Sequence, residues 1–246
     1  MDWGSVAGLV LALAGILIGQ KIEGGALAAL FQPAALVIVL LGTSGAVLLQ
    51  SGLRSLIAGL RLARQVFIKP VDNFALVRRE VGSWHATLRN EGTRGLERHL
   101  AAARTPQIAR GLRLVIDGID AGIVREILER DTDAFEAHQR QALKIWDAAG
   151  GYAPTLGILG AVLGLIHVME NLGDPARLGN GIAVAFVSTI YGVGLANLVF
   201  LPIANRLKAI VAREVLKVDM LTDVFVSLAQ GESHWLIDDR LASYPR

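Results

Sequence analysis

The side chains that could do chemistry in the apolar parts of this sequence are small hydroxyls, amides and one imidazole. Ser188 and Thr189 stand side by side, and Tyr191 follows two residues later, inside a stretch without charge. Such groups can bind a passing ion, or they can form hydrogen bonds with the backbones of neighbouring helices. Other candidates of this class are Thr43, Ser44, Thr155, His167 and Asn197.

The apolar stretches carry no acid of their own. An ionisable residue inside a membrane span is costly and is normally retained only for use, and proteins that move protons or cations usually show one. No Asp, Glu, Lys or Arg interrupts the four apolar stretches. His167, near the end of its stretch, is interpreted as an interfacial or structural histidine rather than a proton relay. If this protein conducts ions, the titrating acid must therefore belong to a partner.

An enzymatic function is poorly supported. Ser188 and His167 suggest an intramembrane serine protease, but Ser188 lies in Val-Ser-Thr and nothing indicates an oxyanion hole. The sequence has no Cys, which excludes zinc-thiolate sites and a thiol nucleophile. The net charge of +2 is too small to suggest nucleic acid. We expect no enzyme, no metal and no cofactor, and a plain scaffold without an ion path remains an alternative.

The composition is that of a membrane protein. Of all residues 53% are apolar and 19% are charged, and the mean hydropathy is +0.49. Four uncharged stretches reach the roughly 17 residues that a helix needs to cross a bilayer core. We predict an all-α membrane protein with four transmembrane helices surrounded by lipid. The stretches are Trp3 to Gln20, Gly24 to Leu53, Ala148 to Met169 and Leu178 to Asn205.

Basic residues near the span ends predict the orientation, because Lys and Arg accumulate on the cytoplasmic side. Of the basic residues, only Lys21 and Arg177 lie in the two short connections between spans. We therefore predict a multi-pass membrane protein with both termini cytoplasmic and two short outer loops. The basic residues that flank the long insert and the tail are Arg54, Arg61, Arg64, Lys69, Arg130, Arg140, Lys144, Arg206, Lys208, Arg213 and Lys217.

A composition shift marks a water-exposed helical domain between the second and third spans, since residues 54–147 hold 16 Lys or Arg and 12 Asp or Glu. The predicted division has four parts. They are 1–53, the first two transmembrane helices with a short periplasmic loop; 54–147, the cytoplasmic helical domain; 148–205, the third and fourth transmembrane helices; and 206–246, a cytoplasmic C-terminal helix and tail.

The third and fourth spans are expected to extend into the cytoplasm as long helices. Asp120 is a predicted N-cap, and residues 131–147 contain no Gly or Pro that would stop a helix before the third span. After the fourth span an apolar stripe continues to Gly231, which is a predicted C-cap.

Apolar or small residues at every fourth position predict one amphipathic helix in the cytoplasmic domain. Its apolar or small positions are Leu88, Gly92, Leu96 and Leu100. On such a helix Arg89 and Glu97 lie about 12 Å apart along the axis and about 80° around it, so both can face one partner. A solvated face with scattered charges is the simpler alternative.

The third apolar stretch contains an interior proline. Pro154 costs a helix about 3 kcal/mol unless the freed carbonyl is satisfied again. Gly160 and Gly164 form a GxxxG pair, which lets two helix backbones approach closely. Pro202, in the last turns of the fourth stretch, is a second candidate for a kink.

Three segments carry a family resemblance. Residues 151–169 read Gly-Tyr-Ala-Pro-Thr-Leu-Gly-Ile-Leu-Gly-Ala-Val-Leu-Gly-Leu-Ile-His-Val-Met. Residues 181–192 read Gly-Ile-Ala-Val-Ala-Phe-Val-Ser-Thr-Ile-Tyr-Gly, and residues 88–98 read Leu-Arg-Asn-Glu-Gly-Thr-Arg-Gly-Leu-Glu-Arg. Together they resemble the flagellar motor stator A subunits of the MotA/PomA family, and they come nearest to the MotC type.

The resemblance implies a homopentamer of this subunit around two copies of a B subunit, 5A:2B. That MotB/MotD-like partner brings an aspartate on its single transmembrane helix and so supplies the missing acid. Ion passage drives stepping of the A ring, and charged loop residues push on FliG, the rotor protein. By motif, Arg89 and Glu97 would contact the rotor, and Pro154 and Pro202 would couple ion binding to movement.

The same resemblance bears on the ion path, which would include Ala161, Ser188, Thr189 and Tyr191. Sodium-driven members place a threonine where this chain has Ala161, so one oxygen ligand for sodium is missing and proton drive is favoured. The segment from Tyr191 to Asn197 also resembles sodium-driven members.

The nearest alternative is the related ExbB/TolQ class, whose members form rings around a proton-carrying partner and energise outer-membrane processes. Those proteins have three spans and arrange their cytoplasmic mass differently. Two spans before the insert favour the stator.

Overall fold

The computed structural model describes residues 3–68, 74–173 and 175–244, and within them every regular element is a helix. The helices are α1 (Trp3–Ile22), α2 (Pro33–Ala63), α3 (Phe74–Glu91), α4 (Glu97–Ala101), α5 (Pro106–Ile116), α6 (Ala121–Glu170), α7 (Pro175–Leu195), α8 (Leu201–Ala229) and α9 (His234–Ala242). Short 3-10 turns span Leu27–Leu30, Arg64–Phe67 and Thr93–Leu96, and a π-helical turn spans Ala196–Phe200. The all-helical prediction is confirmed.

The chain divides into two compact units. The apolar unit comprises 1–69 with 140–209, and the polar unit comprises 70–139 with 210–246. The long helices α6 and α8 each contribute residues to both units.

Three helical stretches in the described residues are long and apolar enough to cross a membrane. They are Leu27–Phe67, Ala121–Glu170 and Leu178–Ala229, and Val6–Ile22 of α1 is a shorter apolar segment. Leu11, Leu41 and Leu49 expose most of their surface, as lipid-facing side chains would. The count of four spans stays a prediction.

Helix α2 begins later, ends later and is less regular than the uncharged stretch 24–53 suggests. It begins only at Pro33, whose fixed φ suits a first helical residue, with Gln32 at the N-cap. Gly52 then adopts φ 72 and ψ 163 and kinks the helix. The helix therefore consists of two segments, one from Pro33 to this kink and one that continues from it to Ala63.

The predicted long helices are confirmed. Asp120 Oδ1 accepts a hydrogen bond of 2.8 Å from the Gly122 amide, and α6 then runs unbroken through Pro154 to Glu170. Beyond α8, Gly231 has φ 66 and its amide donates to the Leu228 carbonyl, as a helix C-terminal glycine does.

Pro202 is the second residue of α8, which begins directly after the π-helical turn Ala196–Phe200. A proline lacks an amide hydrogen and its ring crowds the carbonyl four residues earlier, so a wider turn before it relieves both problems. The predicted irregularity at Pro202 is therefore a π-turn that joins α7 to α8.

The polar unit has its own core. The rings of Trp84 and Phe225 stack with centroids 5.5 Å apart, and Leu96, Leu112 and Met220 are buried in the same cluster. These residues come from α3, α5 and α8 and from the turn before α4.

Helix α9 closes the polar unit. Ile237 and Leu241 are buried, and the Arg78 guanidinium donates to the carbonyls of Leu241 and Tyr244 at 2.6 and 3.0 Å. The Tyr244 hydroxyl donates to Asp223 at 2.6 Å. Burial and this carboxylate raise the pKa of Tyr244, so the phenol stays protonated.

The predicted single amphipathic helix around residue 92 is wrong. Helix α3 ends at Glu91, Gly92 has φ 72, and a 3-10 turn leads into α4. The three leucines nevertheless share one core, since Leu96 is buried there and Leu88 and Leu100 pack against it, whereas Gly92 is exposed. The spacing of every fourth residue therefore predicted correctly that the leucines share a core and wrongly that they lie on one helix. A glycine in the left-handed region ends a helix without changing which of the leucines are buried.

Candidate functional site

Glycines on α6 and α7 let these two helices touch backbone to backbone. A Cβ added to Gly157 would lie 2.8 Å from the Ser188 carbonyl oxygen, and one added to Gly164 would lie 2.7 Å from the Ala185 amide nitrogen. A Cβ on Gly192 would lie 2.5 Å from the Ala153 carbonyl oxygen. We call this contact the glycine seam, defined by Gly157, Gly160, Gly164 and Gly192. The close approach predicted from Gly160 and Gly164 is confirmed.

Ser188 lies inside the seam. It is fully buried, and a Cβ on Gly160 would lie 2.7 Å from its Oγ, so no larger residue fits there. The Ser188 Oγ has no hydrogen-bond partner among the described residues, and the same holds for the buried Thr43 Oγ1. Buried hydroxyls are usually paired, so an unpaired one requires an explanation. Ser188 therefore keeps a free hydrogen-bonding capacity inside the apolar unit.

Other polar groups of the apolar unit are satisfied by their own helices. Thr155 donates to the Tyr152 carbonyl at 2.8 Å, and the Asn197 amide donates to the Val193 carbonyl at 2.9 Å. For these two side chains, pairing with a helix backbone is confirmed. This contrast sets Ser188 and Thr43 apart.

Tyr191 ties α7 to the connection between α1 and α2. Its hydroxyl donates to the Leu30 carbonyl and accepts from the Gln32 amide at 3.3 Å. The side chain is half-buried. In this arrangement the hydroxyl is used in holding the connection.

The remaining predicted ion-path residues are only partly brought together. The Thr189 Cα lies 3.3 Å from the position of a Cβ on Gly157, so Thr189 borders the seam. Pro154 and Ala161 are half-buried on α6, and Pro202 is exposed on α8.

Two contacts that sequence reasoning missed fasten the end of the apolar unit at residues 140–147. Lys208 Nζ and the Asp147 carboxylate form an ion pair at 2.7 Å. Trp146 Nε1 donates to the Gly59 carbonyl at 3.0 Å, and its ring packs against Phe200. The signal in the sequence was the pair of opposite charges just outside two uncharged stretches, Asp147 before 148–169 and Lys208 after 178–205.

Arg89 and Glu97, the predicted rotor-contact pair, flank the turn at Gly92 in the polar unit. Arg89 lies in the last turn of α3 and Glu97 is the first residue of α4, and both are exposed. Within the described part of the chain neither side chain forms an ion pair. Both charges are therefore available to an external partner.

A small network next to this pair was not predicted. Arg98 forms an ion pair with Glu91 at 2.7 Å and donates to Thr87 Oγ1 at 3.1 Å, and His99 Nε2 lies 3.1 Å from the same hydroxyl. Burial lowers the pKa of the His99 imidazole, and the nearby Arg98 guanidinium lowers it further. Arg98 and Glu91 thus neutralise each other within the chain.

A metal centre is not indicated, since the described residues contain no group of three or more His, Asp or Glu side chains that could hold a metal ion.

Comparisons with known proteins bear on these features. A model of the MotA/TolQ/ExbB proton channel family matches residues 99–220. Motility protein A of Bacillus subtilis (strain 168) is 30% identical over 248 residues, covering 99% of this chain and 91% of that protein. Chemotaxis protein PomA of Vibrio alginolyticus is 26% identical, covering 99% and 95%.

Solved structures show the same fold. The flagellar MotAB stator complex from Bacillus subtilis contains a chain with a TM-score of 0.87 and 29% identity, covering 98% of this chain and 94% of that one. The C. jejuni MotAB structure gives a TM-score of 0.93 at 24% identity, covering 100% and 96%.

The glycine seam predicts a sharp difference between two glycines of α7. Gly192→Ala places a methyl group against Ala153 and Gly157 and should destabilise the protein by about 1 to 3 kcal/mol through overpacking. Gly194→Ala, with no atom within 4 Å of the new Cβ, should be neutral or slightly stabilising. Thermal unfolding of the full chain in detergent, followed by circular dichroism, measures both. Equal melting temperatures for the two variants would contradict the seam.

Proposed function

Because the chain belongs to the MotA/TolQ/ExbB proton channel family, we propose that it is the A subunit of a flagellar motor stator. With a B subunit it converts ion-motive force into torque on the rotor. Relatives named Motility protein A and PomA match it over nearly its whole length, and the stator complex from Bacillus subtilis contains the same fold.

The ExbB/TolQ alternative explains less of the chain. Matches to motility proteins cover 99% of it, so they include the first two apolar helices and the inserted polar unit. A relationship confined to the shared channel region would leave both without a counterpart. The stator function is therefore preferred.

The observation that carries the mechanism is the seam with its unpaired Ser188 hydroxyl and no acid in the stretches 148–169 and 178–205. A proton path needs a titrating group, and the B partner of MotB or MotD type provides it as a transmembrane aspartate. Ser188, Thr189 and the backbone near Pro154 would then receive that aspartate. The assembly is a homopentamer of this chain around two B subunits.

The energies are compatible with repeated steps. One charge that crosses 100 mV releases about 2.3 kcal/mol. Protonation of the partner's aspartate would weaken its hydrogen bonds to Thr189 and to the backbone near Pro154, and the ring would advance. Pro202, beside the π-turn, would transmit this change along α8.

Arg89 and Glu97 would be the contacts to FliG of the rotor. Both are exposed, and exposed ion pairs are worth roughly 0 to 1 kcal/mol each, so they can form and break at every step. The network of Arg98 with Glu91 holds the turn between the two contact residues.

The transported ion would be the proton. Ala161 offers no hydroxyl, and Tyr191 is engaged with the connection between α1 and α2, so the oxygen ligands that a dehydrated sodium ion needs are scarce. A proton needs only the partner's carboxylate and a water path.

The membrane topology completes the proposal. Four spans, with α1 as the first, place both termini and the polar unit in the cytoplasm, in the bacterial inner membrane. The excess of basic residues at 54–69, 130–144 and 206–217 supports this orientation. By its motifs, the chain resembles the MotC type of stator A subunit.

The function is tested in a motile host that lacks its own stator genes. Co-expression of this chain with a MotB/MotD-like subunit should restore swimming, and either subunit alone should not. Swimming speed should collapse with a protonophore and stay constant when external sodium is varied. Speed that follows sodium would refute the proton assignment, and failure to restore swimming with a membrane-assembled complex would refute the stator function.

The rotor contact is tested in the same host by charge reversal. Arg89→Glu and Glu97→Lys should each reduce swimming, because each replaces attraction to the rotor with repulsion. Arg79→Glu is the matched control, since Arg79 is an exposed arginine of the same helix that lies about 15 Å along the axis from Arg89. If Arg89→Glu and Arg79→Glu swim equally well at equal expression, the assigned contact is wrong.

A further inference from the structure

The part of α2 that follows its kink keeps apolar side chains on its surface. Leu53, Ile57 and Leu60 are 61%, 40% and 51% exposed. At about 100° per residue they lie within roughly 60° of one another around the helix and therefore form one stripe. Before the kink, Leu49 is 90% exposed, so apolar surface extends along α2 on both sides of the kink. We call residues 53–68 the post-kink segment.

The opposite face of the post-kink segment is fixed to α6. Gly59 and Val66 are buried. A Cβ on Gly59 would lie 2.5 Å from the Ala142 carbonyl oxygen, and the Gly59 carbonyl accepts a hydrogen bond from Trp146 Nε1 at 3.0 Å. The segment thus lies beside the part of α6 that directly precedes the uncharged stretch 148–169. With one face held in this way, the apolar stripe stays on the surface.

The post-kink segment also carries positive charge without any acid. Arg54, Arg61 and Arg64 are exposed, and none of them forms an ion pair within the described part of the chain. Arg54 and Arg61 are seven residues apart, which is about two turns, so they share one side of the helix next to the apolar stripe. No Asp or Glu occurs from residue 24 to residue 68. The exposed surface therefore combines apolar side chains with positive charge that the segment does not neutralise.

This combination matches the boundary between acyl chains and headgroups. The headgroup layer on each side of a bilayer core is roughly 5 to 7 Å thick. An arginine keeps its aliphatic stem on apolar surface while its guanidinium reaches that layer, and the planar guanidinium donates well to phosphate oxygens. Side chains on a helix lean toward its N-terminus, so Arg61 leans toward the turn of Arg54 and toward the uncharged part of α2.

We propose that the post-kink segment binds the headgroups of anionic phospholipids through Arg54, Arg61 and Arg64, with its apolar stripe against the upper part of the acyl chains. A lipid supplies both the negative phosphate and the apolar chain that this surface needs, whereas free phosphate would leave the stripe in water. The inference requires only that α2 cross a membrane, and the stretch Leu27–Phe67 is long and apolar enough to do so. It therefore goes beyond the proposed function.

Binding is measured on the full chain, co-expressed with a MotB/MotD-like subunit and purified in a non-ionic detergent. Fluorescence anisotropy follows a labelled phosphatidylglycerol, and the competitors are unlabelled phosphatidylglycerol, phosphatidylcholine and inorganic phosphate. The test variant combines Arg54→Gln, Arg61→Gln and Arg64→Gln. The matched control loses three positive charges elsewhere, at arginines of the polar unit that are exposed and form no ion pair within the described residues. Its substitutions are Arg79→Gln, Arg94→Gln and Arg113→Gln.

The unsubstituted chain should bind phosphatidylglycerol, and only phosphatidylglycerol should displace the label. Each arginine near an anionic headgroup should strengthen binding by about fivefold, so the test variant should bind on the order of a hundredfold more weakly. The control should bind like the unsubstituted chain. Equal affinity of the two variants, or no binding by the unsubstituted chain, would overturn the proposal. Displacement by phosphatidylcholine would show that the charge is not recognised, and displacement by inorganic phosphate would show an anion site that is not a lipid site; both results would also overturn it.

A second measurement locates the post-kink segment relative to the bilayer. Because the sequence has no cysteine, a single spin label can be attached through Leu60→Cys in vesicles of phosphatidylglycerol and phosphatidylcholine. The label should collide more often with oxygen, which concentrates among acyl chains, than with a water-soluble nickel chelate. Ser83→Cys, at an exposed serine of α3, is the control and should show the reverse. A water-exposed label at position 60 would refute the proposal, and a label shielded from both reagents would show that protein covers the stripe and would refute it too.

Discussion

Contact between two helix backbones is the constraint on which the apolar unit depends. Along the glycine seam the two helices approach so closely that a single added methyl group would overlap backbone atoms of the other helix. Helix packing in a bilayer gains nothing from the hydrophobic effect, so van der Waals contact and weak hydrogen bonds must hold such a pair together. The seam also buries the Ser188 hydroxyl without giving it a hydrogen-bond partner among the described residues. Tight packing and an unpaired hydroxyl thus have the same cause.

This arrangement gives a physical reason for a partner. The parts of α6 and α7 that form the seam bring hydroxyls and a proline but no carboxylate. The family to which the chain belongs is a proton channel family, and the related stator complexes contain a second type of subunit. We propose that a carboxylate on such a subunit supplies the proton site, and that the exposed charges of the polar unit deliver force to a rotor.

Sequence patterns predicted the features that depend on local chemistry. Asp120 capped α6 as expected, Gly231 ended α8, and the Gly160 and Gly164 pair marked a close contact. The break at Gly92 was not predicted. Leucines at every fourth position show the same burial on one continuous helix as on two helices that share a core. Which hydroxyl stays unpaired, and that Trp146 donates to the Gly59 carbonyl, depended on contacts between distant parts of the chain, and no spacing in the sequence records them.

The central claim is that this chain forms an acid-free wall that conducts protons only with its partner's aspartate. Proton flux into vesicles with an imposed membrane potential tests it most directly. Vesicles are prepared with the chain alone, with the chain and its B subunit, and with a B subunit whose transmembrane aspartate is changed to asparagine. Flux is expected only from the complex with the intact aspartate. Equal flux from the chain alone, or from the asparagine variant, would contradict it.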